Sequence, residues 1–125
     1  MLKIWITRLT NEYGKRIRLS KELLNIPSIR LEAMIITFKN VATENFFQTG
    51  EHPALNQAQR AGVRKLRILH ATNDLNSLRV PSGNRLEKLK GDRDGQFSIA
   101  INMQWRICFR WDDGNAYDVE VVDYH

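Results

Sequence analysis

Residues 97 to 121 read FSIAINMQWRICFRWDDGNAYDVEV, and three runs within them alternate apolar with polar residues. The apolar members are Phe97, Ile99 and Ile101, then Trp105, Ile107, Phe109 and Trp111, then Tyr117, Val119 and Val121. A period of two marks a strand with one buried face, and β-branched and aromatic side chains suit that role. Asp112-Asp113-Gly114-Asn115 separates the second and third runs and supplies residues suited to positive φ, so these two strands are predicted to form a hairpin. The product is an antiparallel meander with one apolar face that must be covered. The opposite face of the middle strand presents Arg106, Cys108 and Arg110, two cations flanking a small residue on what is expected to be an open surface.

Upstream of the meander, Leu86 and Leu89 bracket Glu87-Lys88 and begin the sheet block, and Lys90-Gly91-Asp92-Arg93-Asp94-Gly95 makes a charged turn. Pro81-Ser82-Gly83-Asn84 is a loop signal. A helix is predicted from about Leu55 to Thr72, because Leu55, Ala58, Gly62, Leu66 and Leu69 fall on one stripe at helical spacing. Arg60, Arg64 and Arg67 share another face, which suits a solvated surface, phosphate contacts or docking of an acidic partner segment. Thr43 is expected to cap a short helix that carries Phe46 and Phe47 into the core and stops at Gly50. Ile35 to Lys39 reads as a brief first strand, and His52 as a surface histidine in a turn. His70 has no second histidine or cysteine at ligand spacing, so no metal site is expected.

The 125 residues suffice for one domain with one modest core. No apolar run approaches the roughly 20 residues of a membrane span, and no signal-peptide core is evident, so no membrane association and a cytoplasmic location are expected. The single cysteine, Cys108, sits in a strand and reads as a packed thiol. The net charge of +5 is uneven along the chain. Residues 1 to 33 hold seven basic and three acidic side chains and form a basic extension, either a genuine added element or sequence upstream of a natural start at Met34. Residues 60 to 110 hold eleven basic and four acidic side chains, whereas 111 to 125 hold five acidic ones. A basic zone facing an acidic tail points to a polyanionic ligand.

The chain closes with Asp123, Tyr124 and His125, an acid, a phenol and an imidazole in succession. Acting on a polyanion such as a phosphodiester needs a proton acceptor, cations for the charge gathering on phosphate, and a proton donor for the leaving oxygen. Arg106, Lys90 and Arg93 are candidates for the phosphate, and His125 is the best proton carrier near neutral pH. Asp123 can act as a base or orient His125, while Tyr124 can stack on a nucleobase or donate a proton. The plainer readings are a frayed tail and a structural ion pair from Arg106 to Asp118 or Glu120 across the strands.

Four blocks in order, Leu89-Lys90-Gly91-Asp92-Arg93-x-Gly95-x-Phe97-Ser98, Trp105-Arg106-Ile107, Gly114-x-Ala116-Tyr117 and Asp123-Tyr124-His125, resemble the HigB toxins of the RelE superfamily. With Met34-Ile35-Ile36-x-Phe38-Lys39 at its start, the resemblance covers residues 34 to 125, a toxin-like domain. It implies an α+β, RelE-like fold in which two N-terminal helices pack on a twisted, mostly antiparallel sheet. It also implies the toxin half of a type II toxin–antitoxin pair, an mRNA endonuclease that needs no metal or cofactor and works in the ribosomal A site. Asp123, Tyr124, His125, Arg106 and Lys90 match the family's functional positions, and Arg85, Arg93, Arg110, Arg64 and Arg67 are candidate RNA contacts. The implied partners are a HigA-type antitoxin, the ribosome and mRNA, with operator DNA reached only through the antitoxin. One position departs from the pattern: several HigB toxins have His-Pro where this chain has Glu87-Lys88. Glu87 can serve as a base but cannot replace a cationic imidazole, which leaves a weakened module that binds antitoxin or RNA without efficient cleavage as the alternative.

Overall fold

The computed structural model describes residues 34 to 124, so the expectations for residues 1 to 33 and for His125 lie outside the described residues. A four-stranded antiparallel sheet in the order β1-β2-β3-β4 forms the frame. Its strands are β1 (Glu87–Lys88), β2 (Phe97–Ala100), β3 (Trp105–Asp112) and β4 (Asn115–Asp123). The β3–β4 hairpin turns through Asp113 and Gly114, at φ 48° and 79°. Two successive positive φ values match the twist of the flanking strands, which is why the Asp-Gly pair sets this register.

Ile99, Ile107, Phe109, Val119 and Val121 lie on the covered face and are buried, as their alternation predicts. Tyr117 departs from that reading. Cys108 pairs with Glu120 but Arg110 pairs with Tyr117, so Asp118 and Val119 together oppose Phe109 in a β-bulge. Asp118 takes φ 51° to make the extra residue fit. An inserted residue reverses the facing of everything beyond it. Ala116 therefore takes the core position and Tyr117 moves to the Arg110 side.

The expected first strand is a short parallel edge beside β4, bridged at Ile35 to Ala116 and at Phe38 to Val119. It spans the bulge because the Thr37 hydroxyl accepts the Asp118 N–H at 2.8 Å. Helix α1 (Val41–Thr49) follows, and its cap is Asn40 rather than Thr43: the Asn40 side chain accepts the Thr43 N–H at 2.8 Å. Thr43 instead lies buried inside the first turn, where its hydroxyl accepts the Val121 N–H at 3.2 Å and ties helix to sheet. Gly50 ends α1 in the left-handed region, at φ 79°.

The second predicted helix is split. Asn56, at φ 48°, breaks the run, a 3-10 turn spans Asn56–Ala58, and α2 covers Gln59–Ala71. Gly62, Leu66 and Leu69 of α2 are buried beside Leu55 and Phe46. Gly62 is where the two helices touch: a Cβ there would lie 2.8 Å from Phe46 Cζ. Two 3-10 turns, Leu75–Arg79 and Ser82–Asn84, then lead from α2 to β1, anchored by the buried Leu78 and Asn84. The two helices and the antiparallel sheet make the α+β architecture that the sequence predicts. No described helix is long and apolar enough to cross a membrane.

Candidate nucleic-acid site on the open face of the sheet

Strand pairing lines up one row of side chains across the uncovered face: Glu87, Ser98, Cys108 and Glu120. Ala100, Arg106 and Val122 form the next row. The face is less open than the sequence suggests, since Arg106 is 7% exposed and Cys108 fully buried, whereas Arg110 is exposed. The segment from Arg85 to Glu87 and the Gly91–Arg93 turn account for this cover. Burial pushes the Cys108 thiol up, only partly opposed by Arg93 and Arg106, so it is a packed thiol and not a nucleophile.

Arg106 is the centre of the site. Its Nε donates to Ser98 Oγ at 2.8 Å, and its Nη2 donates to the Arg85 carbonyl and, at 3.4 Å, to the Ser98 carbonyl. Glu87 lies 4.0 Å from Nη2, and the ring of Tyr124 stands 5.6 Å from the guanidinium carbon. Among the described residues Nη1 carries no hydrogen bond. A guanidinium held on one edge, with an aromatic rim and a carboxylate beside it, is built to meet an anion on its other edge.

The remaining predicted residues divide. Tyr124, Glu87, Arg85 and Arg106 are brought together, although Arg85 contributes chiefly its carbonyl while its side chain donates to the exposed Met103 sulfur at 3.7 Å. Asp123 pairs across the strands with Trp105, which packs against the core, so it faces the other side of the sheet from Arg106; Gln104 donates to its carboxylate at 3.2 Å. The sequence groups Asp123 with Arg106 and Tyr124 in one site; in the structure Asp123 stands on the Trp105 side, and the Tyr124 ring stands on the Arg106 side. Lys90 is exposed and precedes the Gly91–Arg93 turn.

Arg93 and Arg110 both carry carboxylate partners. Arg93 is bonded to Glu120 at 3.2 Å and to Gln96 at 3.1 Å, and Arg110 sits 3.6 Å from Asp118. The cross-strand acids thus pair with these two arginines and not with Arg106. Arg64 and Arg67 lie elsewhere, with Arg60, Val63, Ile68 and Ala71, along an open groove of about 560 Å³ on α2. His52 is not a plain surface residue: it is half-buried, edge-on to Phe46 at 5.5 Å, and its Nδ1 accepts the Ala54 N–H at 3.2 Å. Burial lowers its pKa. His70 is buried too, and its Nδ1 accepts the Ile35 N–H at 3.1 Å.

Sequence reasoning missed Ser98, Lys65 and Asn84. Ser98 was recoverable, since Phe97 and Ile99 flank it and any residue between them that faces away from the core must lie on the Arg106 side. Lys65 and Asn84 carried no such signal.

A sheet with one face under helices and a buried guanidinium on the other makes a small α+β domain with one candidate anion site. A sequence model described as "RelE-like toxin of type II toxin-antitoxin system HigB" matches residues 36 to 125, and the chain belongs to this family. Toxin HigB-1 of Vibrio cholerae is 39% identical over 85 residues, 66% of this chain and 90% of that protein. The Endoribonuclease HigB of Proteus vulgaris is 46% identical over 41 residues, 33% of this chain and 45% of that one. Among solved structures, the YoeB dimer from Staphylococcus aureus aligns with a TM-score of 0.46 at 24% identity, covering 75% of this chain and 98% of that chain.

Proposed function

We propose that residues 34 to 125 act as an endoribonuclease that cuts mRNA on the ribosome and so halts translation. The observation that carries the reading is Arg106, buried and held through Nε and Nη2, with Nη1 left without a hydrogen bond among the described residues, and flanked by Glu87 and Tyr124. In the proposed reaction the 2′-oxygen of RNA forms a bond to phosphorus while the bond from phosphorus to the 5′-oxygen breaks, leaving a 2′,3′-cyclic phosphate and a 5′-hydroxyl. Glu87 takes the 2′-hydroxyl proton, and His125 returns one to the leaving oxygen. Arg106 and Lys90 stabilise the charge building on the phosphate, and Tyr124 stacks on a neighbouring base. No metal or cofactor enters this scheme. The ribosome supplies the orientation that so small a set of groups cannot.

The proposed partner is an antitoxin of the HigA type, which also brings the pair to its operator DNA. The groove on α2 suits an acidic, amphipathic segment of that partner, since Arg60, Arg64 and Arg67 line it together with Val63, Ile68 and Ala71. This assigns Arg64 and Arg67 to the antitoxin in preference to RNA. A second reading, a module that binds without efficient cleavage, is favoured by one observation: Glu87, at the place where several HigB toxins resembled by this chain have a histidine, sets a negative charge 4.0 Å from Arg106.

Induction of the full chain without antitoxin, with primer-extension mapping of cellular mRNA, separates the two. Growth arrest with discrete cuts that vanish in His125→Ala supports the nuclease. Harmless expression with tight antitoxin binding supports the module. Rapid cutting of naked mRNA by the purified protein would replace the ribosome-dependent scheme.

A further inference from the structure

Next to the loop that grips Arg106 lies a buried polar cluster that the proposed chemistry does not use. Asn84 is fully buried, and its amide nitrogen donates to the carbonyls of Leu78 at 3.1 Å and Val80 at 3.3 Å. Its Oδ1 accepts from Lys65 Nζ, which reaches inward from α2 and is 8% exposed. With both amide hydrogens and one oxygen lone pair engaged, the Asn84 side chain has one orientation available. The next residue, Arg85, sits in the left-handed region at φ 49°, and its carbonyl is the acceptor for Arg106 Nη2. The cluster is thus one peptide step from the site's central guanidinium.

Held this way, Arg106 is gripped from two sides, by Ser98 on its own sheet and by a loop carbonyl that α2 anchors. We propose that Lys65 and Asn84 are positioning residues for Arg106, fixing the Arg85 peptide so that the free edge of the guanidinium faces the ligand. The inference rests on Arg106 being the phosphate-binding group of the proposed reaction.

Fold stability alone is a poor reason for this arrangement. Burial and the neighbouring Arg64 lower the Lys65 pKa, so the ammonium is held at a cost in desolvation. A leucine at 65 packed on an apolar residue at 84 would join helix to loop without that cost. It would not hold the Leu78 and Val80 carbonyls, nor set the direction of the peptide that follows.

The test uses the full chain with Asn84→Ala and Lys65→Met, each alone and combined with Arg106→Ala. Cleavage at saturating ribosome concentration, at a temperature where every variant is folded, is expected to fall roughly 100-fold in each single variant, the scale of a misplacement of about 1 Å. Each is expected to add nothing once Arg106 is gone, because groups that act through one another are not additive. An equal loss in both backgrounds, or full activity in the folded Asn84→Ala protein, overturns the proposal.

A second measurement stands apart from activity: hydrogen exchange of the Arg106 guanidinium, read by ¹⁵N NMR. Slow exchange in the parent that becomes fast in both variants is expected, and unchanged exchange refutes the positioning role even if a variant is less stable. If Arg106→Ala itself cuts normally, the nuclease reading of Arg106 fails, and the exchange measurement still decides whether Lys65 and Asn84 hold that side chain.

Discussion

Arg106→Lys keeps the charge at the centre of the site and removes its fork. Arginine satisfies the Ser98 hydroxyl through Nε and the Arg85 carbonyl through Nη2. A single ammonium on a narrower head reaches one of these acceptors and leaves the other buried and unpaired, at about 1–3 kcal/mol. The pair with Glu87 adds little to that figure: at 4.0 Å and with the Glu87 side chain 55% exposed, it is worth at most about 1 kcal/mol. For a domain of this size the loss lowers Tm by roughly 5–15 °C. The effect on cleavage is expected to be larger, about 100-fold, because a donor aimed at developing charge acts in the transition state alone. The assay is single-turnover cutting of a ribosome-bound message at a temperature well below the variant's melting midpoint. A folded Arg106→Lys protein that cuts within about twofold of the parent would refute the assignment of Arg106 to the phosphate.

Two further outcomes follow from packing and burial. Gly62→Ala places a methyl 2.8 Å from Phe46 Cζ and 3.0 Å from Cε2, so α1 and α2 must part; a loss of about 1–3 kcal/mol is expected in chemical denaturation. A stability equal to or above the parent would show that Phe46 swings aside freely. His52 binds its proton less readily when folded than its ordinary value of 6.5, so the unfolded chain takes up more protons in the window below 6.5 and down to the lowered value. Stability contributed by neutral His52 is therefore complete above pH 6.5 and is lost as pH falls through that window. The slope of unfolding free energy against pH is expected to flatten there in His52→Gln, and an unaltered slope would show that another group is responsible.

Much of this fold was legible in the chain itself. The alternation of Ile99, Ile107, Phe109 and Val119, the Asp113-Gly114 turn and the Gly62-Leu66-Leu69 stripe set strands, hairpin and helix by local physics, because period and turn chemistry act over a few residues. The candidates Arg106, Tyr124 and Glu87 were readable as residue types able to meet a phosphate. Tertiary structure decided which of them meet. The bulge at Asp118 turned Tyr117 off the core, strand pairing put Asp123 and Tyr124 on opposite faces, and Glu120 and Asp118 were taken up by Arg93 and Arg110. It also brought Lys65 and Asn84, 19 residues apart, into one buried hydrogen bond behind Arg85. Such contacts depend on how whole elements pack, and a buried polar group finds its partner only after the chain has closed around it, so no local pattern announces them.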